Sequence, residues 1–396
     1  MNILTIITHY LPGEKSGGAV RSVANIVECF GKRYNFLILT KDRDLGDKSS
    51  YLNIWTSRWQ NVNNARVWYM HPRETRLIGL WRLITGIDHD LLYLNSLFSR
   101  FTIRILLLRA MGLLDRRPIV VAPRGELSPG ALEIKNIKKH IYLLISRLAG
   151  FYRGVVWHVS TDYEAEDIGR IFPWTKDGSK MGTQLIRIAP DPFLLPKVSL
   201  RGREMPPLRK EPGKLRIVFI SRISRKKNLE YALRLLSVLT GNVEFDIYGP
   251  CEDKEYWAKC RSLIKTLPPN INVVYRGIAN SNDVPSLFSR YHLFLFPTRG
   301  ENFGHVIPEA LSSGCLVLVS DQTPWRGLTQ KEIGWDVGLA DPNGFVRALN
   351  AALAMDDVEF STRSMAARHF LQDYCQRGMS ELDDAYARLF DITPGI

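Results

Sequence analysis

Short apolar runs alternate with longer amphipathic segments along most of the chain. Apolar runs of about four to eight residues are typical of buried strands, whereas apolar residues spaced three and four positions apart are typical of helices packed on a sheet. Their repeated alternation predicts βαβ units and parallel sheets. The pattern is interrupted in residues 190–213, where six prolines disfavour both helix and central strand.

The pattern predicts an ordered series of elements on each side of this interruption. Before it, we expect strands over residues 3–8, 36–40, 65–70, 91–94, 119–122, 155–160 and 184–188, with helices over 19–30, 74–85, 97–111, 129–149 and 161–171. After it, we expect strands over 216–220, 243–248, 272–275, 293–296 and 316–319, with helices over 228–239, 255–266, 283–290, 304–313, 342–354 and 361–390.

The interruption predicts two domains of α/β class, and 396 residues suit two domains better than one. The predicted parts are an N-terminal domain of 1–195, a Pro-rich linker of 196–213, a C-terminal domain of 214–375 and a final helical segment of 376–396. Ligands bind at the carboxyl ends of parallel strands. We therefore expect a site where the two sheets face each other across a cleft.

Composition excludes several classes of protein. With 45% hydrophobic and 23% charged residues, wholesale disorder is excluded. Apolar runs are far shorter than the roughly 20 residues of a spanning helix. The N-terminal residues enter a strand without a signal-like segment, so we expect a cytoplasmic protein. Five scattered cysteines without a Cys-x-x-Cys pair indicate neither a disulfide framework nor a zinc site.

Basic residues are concentrated between positions 100 and 153. This segment contains eleven Lys and Arg but three Asp and Glu, so its net charge is 11 − 3 = +8, within a net charge of +13 for the chain. Such helices can meet an anionic membrane surface or a phosphorylated substrate. The alternative is an ordinary solvated helical face.

Three loops that follow predicted strands carry candidate chemistry, and the first is residues 8–18. Gly17 and Gly18 allow a ligand close to the backbone, and the helix that follows offers free N–H groups to a phosphate. The loop lacks the Gly-x-Gly-x-x-Gly spacing of nicotinamide sites. The alternative interpretation is an ordinary βα loop.

The second loop, residues 221–228, places four cations at the start of a helix. Like charges repel, so such clustering favours a bound anion or full solvation. Arg222 can bind two oxygens of a diphosphate, and Lys227 can act as a point charge. A solvated basic turn is the alternative.

The third loop, residues 296–310, contains two acids with seven residues between them. Glu301 follows a strand, whereas Glu309 lies on the next predicted helix, so both can face one ligand. Carboxylates accept paired hydrogen bonds, which suits Glu301 to sugar hydroxyls and Glu309 to a ribose diol. A helix cap or a salt bridge is the alternative role for Glu309.

These segments resemble the retaining glycosyltransferases of family 4. Residues 297–324, with Gly314-Cys315-Leu316-Val317, resemble the Glu-x7-Glu region of that family. Residues 221–228 resemble the diphosphate-binding loop of the family, and Gly17-Gly18 resemble its N-terminal donor loop. Residues 122–132 resemble the corresponding segment of members that build bacterial surface polysaccharides. The resemblance covers nearly the whole chain. It implies the GT-B architecture, in which two Rossmann-like domains face across a cleft and the C-terminal helix crosses back to the N-terminal domain.

The resemblance also implies roles for individual residues. The N-terminal domain would bind the acceptor and the C-terminal domain the nucleotide sugar. Arg222 and Lys227 would neutralise the donor diphosphate and Glu301 would contact the donor sugar, with further donor contacts from Gly17, Gly18, Asn302, Phe303, Gly304 and Glu309. Many members carry a His in the loop after a mid-domain strand, where this chain has Asn95. We expect Asn95 and Arg124 to contact the acceptor or the sugar instead.

The predicted activity is transfer of a hexose-type sugar, with retention, from a nucleoside diphosphate sugar to a saccharide or lipid-linked saccharide. We expect no cofactor and no metal, although Asp42-Arg43-Asp44 and Asp88-His89-Asp90 match the Asp-x-Asp metal motif. We also expect peripheral attachment to the inner face of the membrane and no nucleic-acid partner. A nucleotide-sugar 2-epimerase and a non-catalytic nucleic-acid-binding protein are the alternatives.

Overall fold

The structure is a computed structural model that describes residues 1–13, 15, 17–133, 136–172, 186–195, 208–280 and 283–392. The chain forms two compact units, Met1–Pro192 with Met379–Ile396, and Phe193–Gly378. Most of the predicted linker, residues 196–207, and the start of the strand predicted over 184–188 lie outside the described residues.

The first unit is built on one twisted sheet. Its described strands are β1 (Asn2–Ile6), β2 (Asn35–Lys41), β3 (Trp59–Val62), β4 (Ala65–Met70), β5 (Leu91–Asn95), β6 (Ile119–Ala122), β7 (Val155–Val159) and β8 (Ile186–Ile188). They lie in the order β3-β4-β2-β1-β5-β6-β7-β8. Within this set β3 alone is antiparallel, and it pairs with β4 as a hairpin. The prediction missed β3 because polar residues occupy half of it.

Six described helices accompany this sheet. They are α1 (Gly18–Phe30), α2 (Leu77–Gly86), α3 (Arg100–Ala110), α4 (Pro129–Glu133), α5 (Asn136–Leu148) and α6 (Asp162–Ile171). The single helix predicted over 129–149 is helical wherever it is described up to residue 148, and residues 134–135 between α4 and α5 lie outside the described part. α6 begins after the N-cap residue Thr161, whose side chain accepts from the Glu164 N–H.

The parallel strands at the centre of the first sheet are buried on both faces, as parallel strands covered by helices should be. In β1, Ile3 packs into one core layer while Leu4 and Ile6 pack into the layer on the opposite face. This follows from the two-residue period of a strand, which sends successive side chains to opposite faces.

The second unit repeats the plan with six described strands. They are β9 (Lys214–Ile220), β10 (Asn242–Tyr248), β11 (Ile271–Gly277), β12 (Leu293–Phe296), β13 (Leu316–Ser320) and β14 (Gly334–Val337). Each described pair is parallel. The helices are α7 (Leu229–Leu236), α8 (Lys254–Ile264), α9 (Val284–Phe288), α10 (Val306–Ser312), α11 (Pro342–Ala354) and α12 (Asp357–Phe390). The prediction missed β14 because it is only four residues long and half polar.

The last helix, α12, contributes to both cores. Phe360, Ala367 and Leu371 are buried in the core of the second unit. Tyr386 and Phe390 are buried in the first unit, where the Tyr386 ring stacks on that of Phe30 at 4.4 Å. The predicted fold class, two α/β units with parallel sheets, is confirmed.

Candidate functional site

The strand order of the second unit defines a topological switch point. The sheet runs β11-β10-β9-β12-β13-β14, so the chain leaves β9 toward one edge and β12 toward the other. Ligands of open α/β sheets bind where the strand order reverses in this way. The loops that follow β9 and β12 are the second and third loops predicted from the sequence. The fold therefore brings those two motifs together.

Backbone hydrogen bonds tie the two loops to each other. The Arg299 N–H donates to the Lys226 carbonyl at 2.8 Å, and the Thr298 hydroxyl donates to the same carbonyl at 3.2 Å. Asn228, in the left-handed region at φ 61°, donates its side-chain amide to the Pro297 carbonyl at 3.0 Å. The two loops therefore form one rigid rim at the carboxyl edge of the sheet.

Lys227 and Glu301 meet at the centre of this rim. The Lys227 ammonium donates to a Glu301 carboxylate oxygen, and the two side chains are only 11% and 13% exposed. The ammonium also lies 5.3 Å from the centre of the Phe296 ring. Two residues predicted to touch different parts of one donor are thus partners of each other.

The burial of this pair changes its titration. Burial, followed by the repulsion of Lys226 and Arg222, lowers the pKa of Lys227 to about 8, although Glu301 opposes the change. Burial alone would raise the pKa of Glu301, but the neighbouring cations outweigh it and hold that pKa below its usual value. The carboxylate is charged at neutral pH, and the ammonium is close to its titration.

Arg222 lies in the same loop and is more accessible. Its guanidinium contacts the Glu252 carboxylate at 3.2 Å, with the side chains 34% and 46% exposed. Gly249, which follows β10, packs against this loop, and its φ of 138° favours glycine. A Cβ at Gly249 would lie 1.9 Å from the Ser221 carbonyl oxygen. The close approach of these backbones needs glycine there.

The loop after β12 leads into α10, which carries Glu309 as its fourth residue. Glu309 is buried, and the Phe303 ring before it packs at 5.5 Å from the Trp325 ring. The Trp325 indole N–H donates to the Phe303 carbonyl at 2.7 Å. Gly304 has a φ of 75°, which permits the turn into the helix. Trp325 was not predicted as part of the site, because no local motif in the sequence indicates it.

In the first unit, Gly17 and Gly18 stand at the start of α1 as predicted. Gly17 is the N-cap residue at φ 75° and ψ −145°, a conformation suited to glycine, and α1 begins at Gly18. No acidic side chain lies in the first turn of α1. The first N–H groups of the helix can therefore meet a phosphate without competition from a carboxylate of that turn.

The structure places Asn95 and Arg124 inside the first unit, not at its surface. Arg124 donates to the Asn95 side-chain oxygen at 3.1 and 2.9 Å, to the Tyr93 hydroxyl at 2.6 Å and to Asp191 at 2.5 Å. The Arg124 and Asp191 side chains are 6% and 1% exposed. We expected contacts to the acceptor or the sugar, and these groups are engaged in an internal network. Their role at a substrate stays a prediction.

Sequence reasoning missed the rest of this network. His158 lies 2.6 Å from the Tyr93 hydroxyl through Nδ1 and 2.8 Å from the Ala189 carbonyl through Nε2. Burial lowers its pKa to about 3, so the ring is neutral and donates to that carbonyl. Ser22 of α1 donates to Asp191 at 2.7 Å. Asp191 is 67 residues from Arg124 along the chain, so no local spacing could have indicated the pair.

Glu164, in the first turn of α6, accepts hydrogen bonds from two backbone N–H groups outside its helix. Its carboxylate accepts from the Gly125 N–H at 2.6 Å and from the Ser160 N–H at 2.9 Å. Burial raises its pKa to about 7. The side chain therefore holds the loop that carries Arg124, at φ 57°, against the start of α6.

The basic residues of segment 100–153 do not share one face. Arg124 is buried against Asp191, Arg104 donates to the Thr75 carbonyl and Lys139 donates to the Ala131 carbonyl. Only part of the counted surplus is therefore available to an external anion.

The described residues contain neither a cluster of metal-ligating side chains nor a membrane-spanning helix. Among the described residues, no group of three or more His, Cys, Asp or Glu side chains is arranged to hold a metal ion. Asp42 pairs with Arg43 at 2.8 Å, and Asp90 accepts from the Asn2 N–H at 2.6 Å, so these Asp-x-Asp carboxylates have local partners. Within the described ranges, none of the helices has the length and apolar character needed to cross a bilayer.

The second unit also matches a known sequence family. Residues 201–366 match the family described as "Glycosyl transferases group 1". A Klebsiella pneumoniae protein, "Uncharacterized 41.2 kDa protein in cps region", is 25% identical over 242 residues. That region is 59% of this chain and 60% of the relative.

Solved structures show the fold of the whole chain. Sucrose-phosphate synthase from Thermosynechococcus elongatus aligns over 99% of this chain and 100% of its own, with a TM-score of 0.70 and 16% identity. Anabaena HepE, solved with UDP and glucose, aligns over 99% of both chains, with a TM-score of 0.67 and 14% identity. The family match covers less than half of the chain, and the solved structures show that the whole chain has the GT-B fold. The loops after β9 and β12 lie within the matched residues 201–366 and form the candidate site.

Proposed function

We propose that this protein is a GT-B glycosyltransferase, which moves a hexose-type sugar from a nucleoside diphosphate sugar to an acceptor hydroxyl with retention of configuration. The family match of residues 201–366 and the cps-region relative support a role in cell-surface polysaccharide or lipopolysaccharide assembly. HepE, which shares the fold, was solved with UDP and glucose, which supports a nucleotide-sugar donor.

The Lys227–Glu301 pair is the observation that carries the proposal. It lies at the switch point of the sheet, is largely desolvated and unites a cation with an acceptor of hydrogen bonds. A bound diphosphate would draw the Lys227 ammonium to its oxygens. That exchange would release the Glu301 carboxylate to accept hydrogen bonds from the sugar hydroxyls. Donor binding would therefore convert an internal pair into two donor contacts.

The chemistry follows from the charge that develops during transfer. The bond from the anomeric carbon to the diphosphate oxygen breaks, and the acceptor oxygen bonds to the same face of that carbon. The acceptor proton passes to the leaving phosphate. Lys227, Arg222 and helix-end N–H groups stabilise the charge on the diphosphate, a preorganised effect worth several kcal/mol. These groups take up the charge, so the proposal needs neither a cofactor nor a metal.

We assign the acceptor, a saccharide or lipid-linked saccharide, to the first unit. Gly17 and Gly18 at the start of α1 would add N–H donors to the donor phosphates. That the motifs of both units share one groove stays a prediction from the sequence. We place the enzyme on the cytoplasmic face of the membrane, with the basic helices of residues 100–153 toward anionic lipid.

A donor screen tests the proposal. The thermal unfolding of the full chain is measured with a panel of nucleoside diphosphate sugars, since a ligand of the native state raises the midpoint. We expect a shift with a subset of donors that is lost in Glu301→Ala and retained in Glu252→Ala, a matched carboxylate at the exposed edge. No shift with any donor would contradict the proposal.

Product analysis separates the two alternatives. With donor alone, a 2-epimerase releases an altered hexose, whereas the proposed transferase needs an acceptor. A nucleic-acid-binding protein would show salt-sensitive oligonucleotide binding and no donor-dependent shift.

A further inference from the structure

Helix α5 carries an apolar ridge on its exposed side. Ile137, Ile141, Leu144, Ile145 and Leu148 are between 53% and 77% exposed. We call these five side chains the α5 ridge. Surface helices of globular domains usually bury their apolar stripe. A contiguous apolar patch left on the surface marks an interaction site.

The ridge is continuous along the helix. At about 100° per residue, its five positions fall within an arc of about 100°. The opposite side faces the protein: Leu143 and Ser146 are buried, and the Lys139 ammonium donates to the Ala131 carbonyl at 2.5 Å. The helix therefore packs on the first unit by one face and presents the ridge on the other.

Helix α11 of the second unit shows the usual arrangement for comparison. Its larger apolar side chains, Phe345, Leu349 and Leu353, are at most 6% exposed. The described part of α5 and helix α11 each span 13 residues, yet α5 leaves its apolar side chains exposed.

Basic residues border the ridge on both sides. On the helical projection, exposed Lys138 lies at one edge, and exposed His140 and Arg147 lie at the other. No acidic residue occurs between Glu133 and Asp162 in the sequence. An apolar stripe bordered by Lys138 and Arg147, in a segment without acidic residues, is the composition of helices that lie in the plane of a bilayer interface.

The charge distinguishes a bilayer from a second copy of the chain. A two-fold dimer through α5 would place the basic borders of one helix against those of the other. Like charges at an interface cost free energy. An anionic bilayer offers acyl chains to the ridge and negative headgroups to its borders. The α5 ridge and its basic borders are therefore better matched to an anionic lipid surface than to the same helix of a second chain.

We propose that α5 lies in the headgroup region of an anionic bilayer with the α5 ridge inserted toward the acyl chains. This proposal rests on the proposed function, because insertion of α5 would hold the first unit beside a lipid-linked acceptor. It also changes the expected mode of attachment. Insertion of apolar side chains survives salt, whereas attraction by the basic residues alone does not.

Vesicle flotation of the full chain tests the proposal. The vesicles contain phosphatidylcholine alone or mixed with phosphatidylglycerol, at low and high salt, without donor. We expect binding to mixed vesicles that high salt weakens but does not abolish. The triple variant Ile141→Ser/Leu144→Ser/Leu148→Ser should lose at least about tenfold in partitioning. The control Val238→Ser/Val358→Ser, at 62% and 75% exposed positions of the second unit, should bind as the wild type.

A fluorescence measurement reports insertion directly. Tryptophan emission of Leu148→Trp should shift to the blue with mixed vesicles and be quenched by brominated lipid. Val358→Trp should show neither change. Donor-dependent thermal shifts of the triple variant should match the wild type, which separates a failure of docking from a failure of the proposed function.

Three results would overturn the proposal. The first is that the wild type binds no vesicle, and the second is that the triple variant binds as well as the wild type. The third is a dimer of the wild type that the triple variant abolishes, which would assign the α5 ridge to a second copy of the chain.

Discussion

In the described part of each unit a buried ion pair lies just after the parallel strands, and the two pairs are built differently. In the first unit, Arg124 and Asp191 are 6% and 1% exposed, and both have further hydrogen-bond partners. In the second unit, Lys227 and Glu301 keep 11% and 13% exposure at the rim of the sheet. The first pair is the more fully enclosed of the two.

The titration of the cations follows the same division. Burial alone would lower the pKa of Arg124, but Asp191 overrides it and raises that pKa. For Lys227, burial and neighbouring cations win over Glu301, and the pKa falls to about 8. Where the surroundings stabilise the charged form of a side chain, as for Arg124, the ion pair contributes to the stability of the fold. Where they destabilise the charged form, as for Lys227, a bound anion would stabilise it. Three predictions test this difference.

The largest effect is expected for Lys227→Ala. Loss of one preorganised charge at a developing anion costs about a hundred- to thousandfold in kcat. We therefore expect a fall of this size in sugar transfer, measured at saturating donor. Arg225→Ala is the matched control, because Arg225 belongs to the same loop but is 59% exposed against Asp253. Near-normal turnover of Lys227→Ala would refute the role given to the pair.

The second effect concerns stability, and we expect it for Asp191→Asn. The substitution leaves the Arg124 cation buried without its carboxylate, which costs about 3–5 kcal/mol of unfolding free energy. Chemical denaturation followed by a probe in the first unit measures the loss.

Two controls define that measurement. The exposed pair Lys15–Asp47 has side chains 42% and 40% exposed, so Asp47→Asn should cost at most about 0.5 kcal/mol. The apolar double variant Arg124→Met/Asp191→Leu should recover part of the loss, because no unpaired charge remains. If Asp191→Asn is as stable as Asp47→Asn, the enclosed pair is not the structural element that we describe.

The smallest effect is a pH dependence of donor affinity. A diphosphate binds the protonated form of Lys227, whose pKa in the free protein is about 8. The Kd for UDP should be constant below that pH. Above it, the Kd should rise toward about tenfold per pH unit, because protonation must then accompany binding.

Calorimetric titration over this range measures the dependence. Lys227→Arg is the control, since a guanidinium keeps its charge well above this range. Its Kd should therefore stay flat. A flat profile in the wild type would show that Lys227 does not meet the diphosphate.

The regular elements could be predicted where the local pattern was strong. β4, β12 and α11 have the predicted bounds because each is a clear apolar run or a periodic segment. β3 and β14 were missed because four-residue strands with polar positions give no period. The loops after β9 and β12 were recognised as candidates because strand ends and charge clusters are local features.

The surroundings of the candidate residues could not be predicted in the same way. Arg124 follows a strand and carries a charge, which is the same local signal that marks Lys227. Its partner Asp191 lies in the segment that the sequence indicated only as a proline-rich interruption. Glu301 was assigned to the sugar, and its contact with Lys227 depends on two strands being neighbours, which no local motif specifies.

Sequence by itself determined the alternation of strands and helices, the division into two α/β units and the loops that bear chemical groups. These depend on side-chain period and on residues close together along the chain. The tertiary structure alone decided which cation is enclosed, which one is open to a ligand and which helix leaves an apolar ridge exposed. Those properties depend on desolvation and on contacts between residues far apart in sequence, and both exist only once the chain has folded.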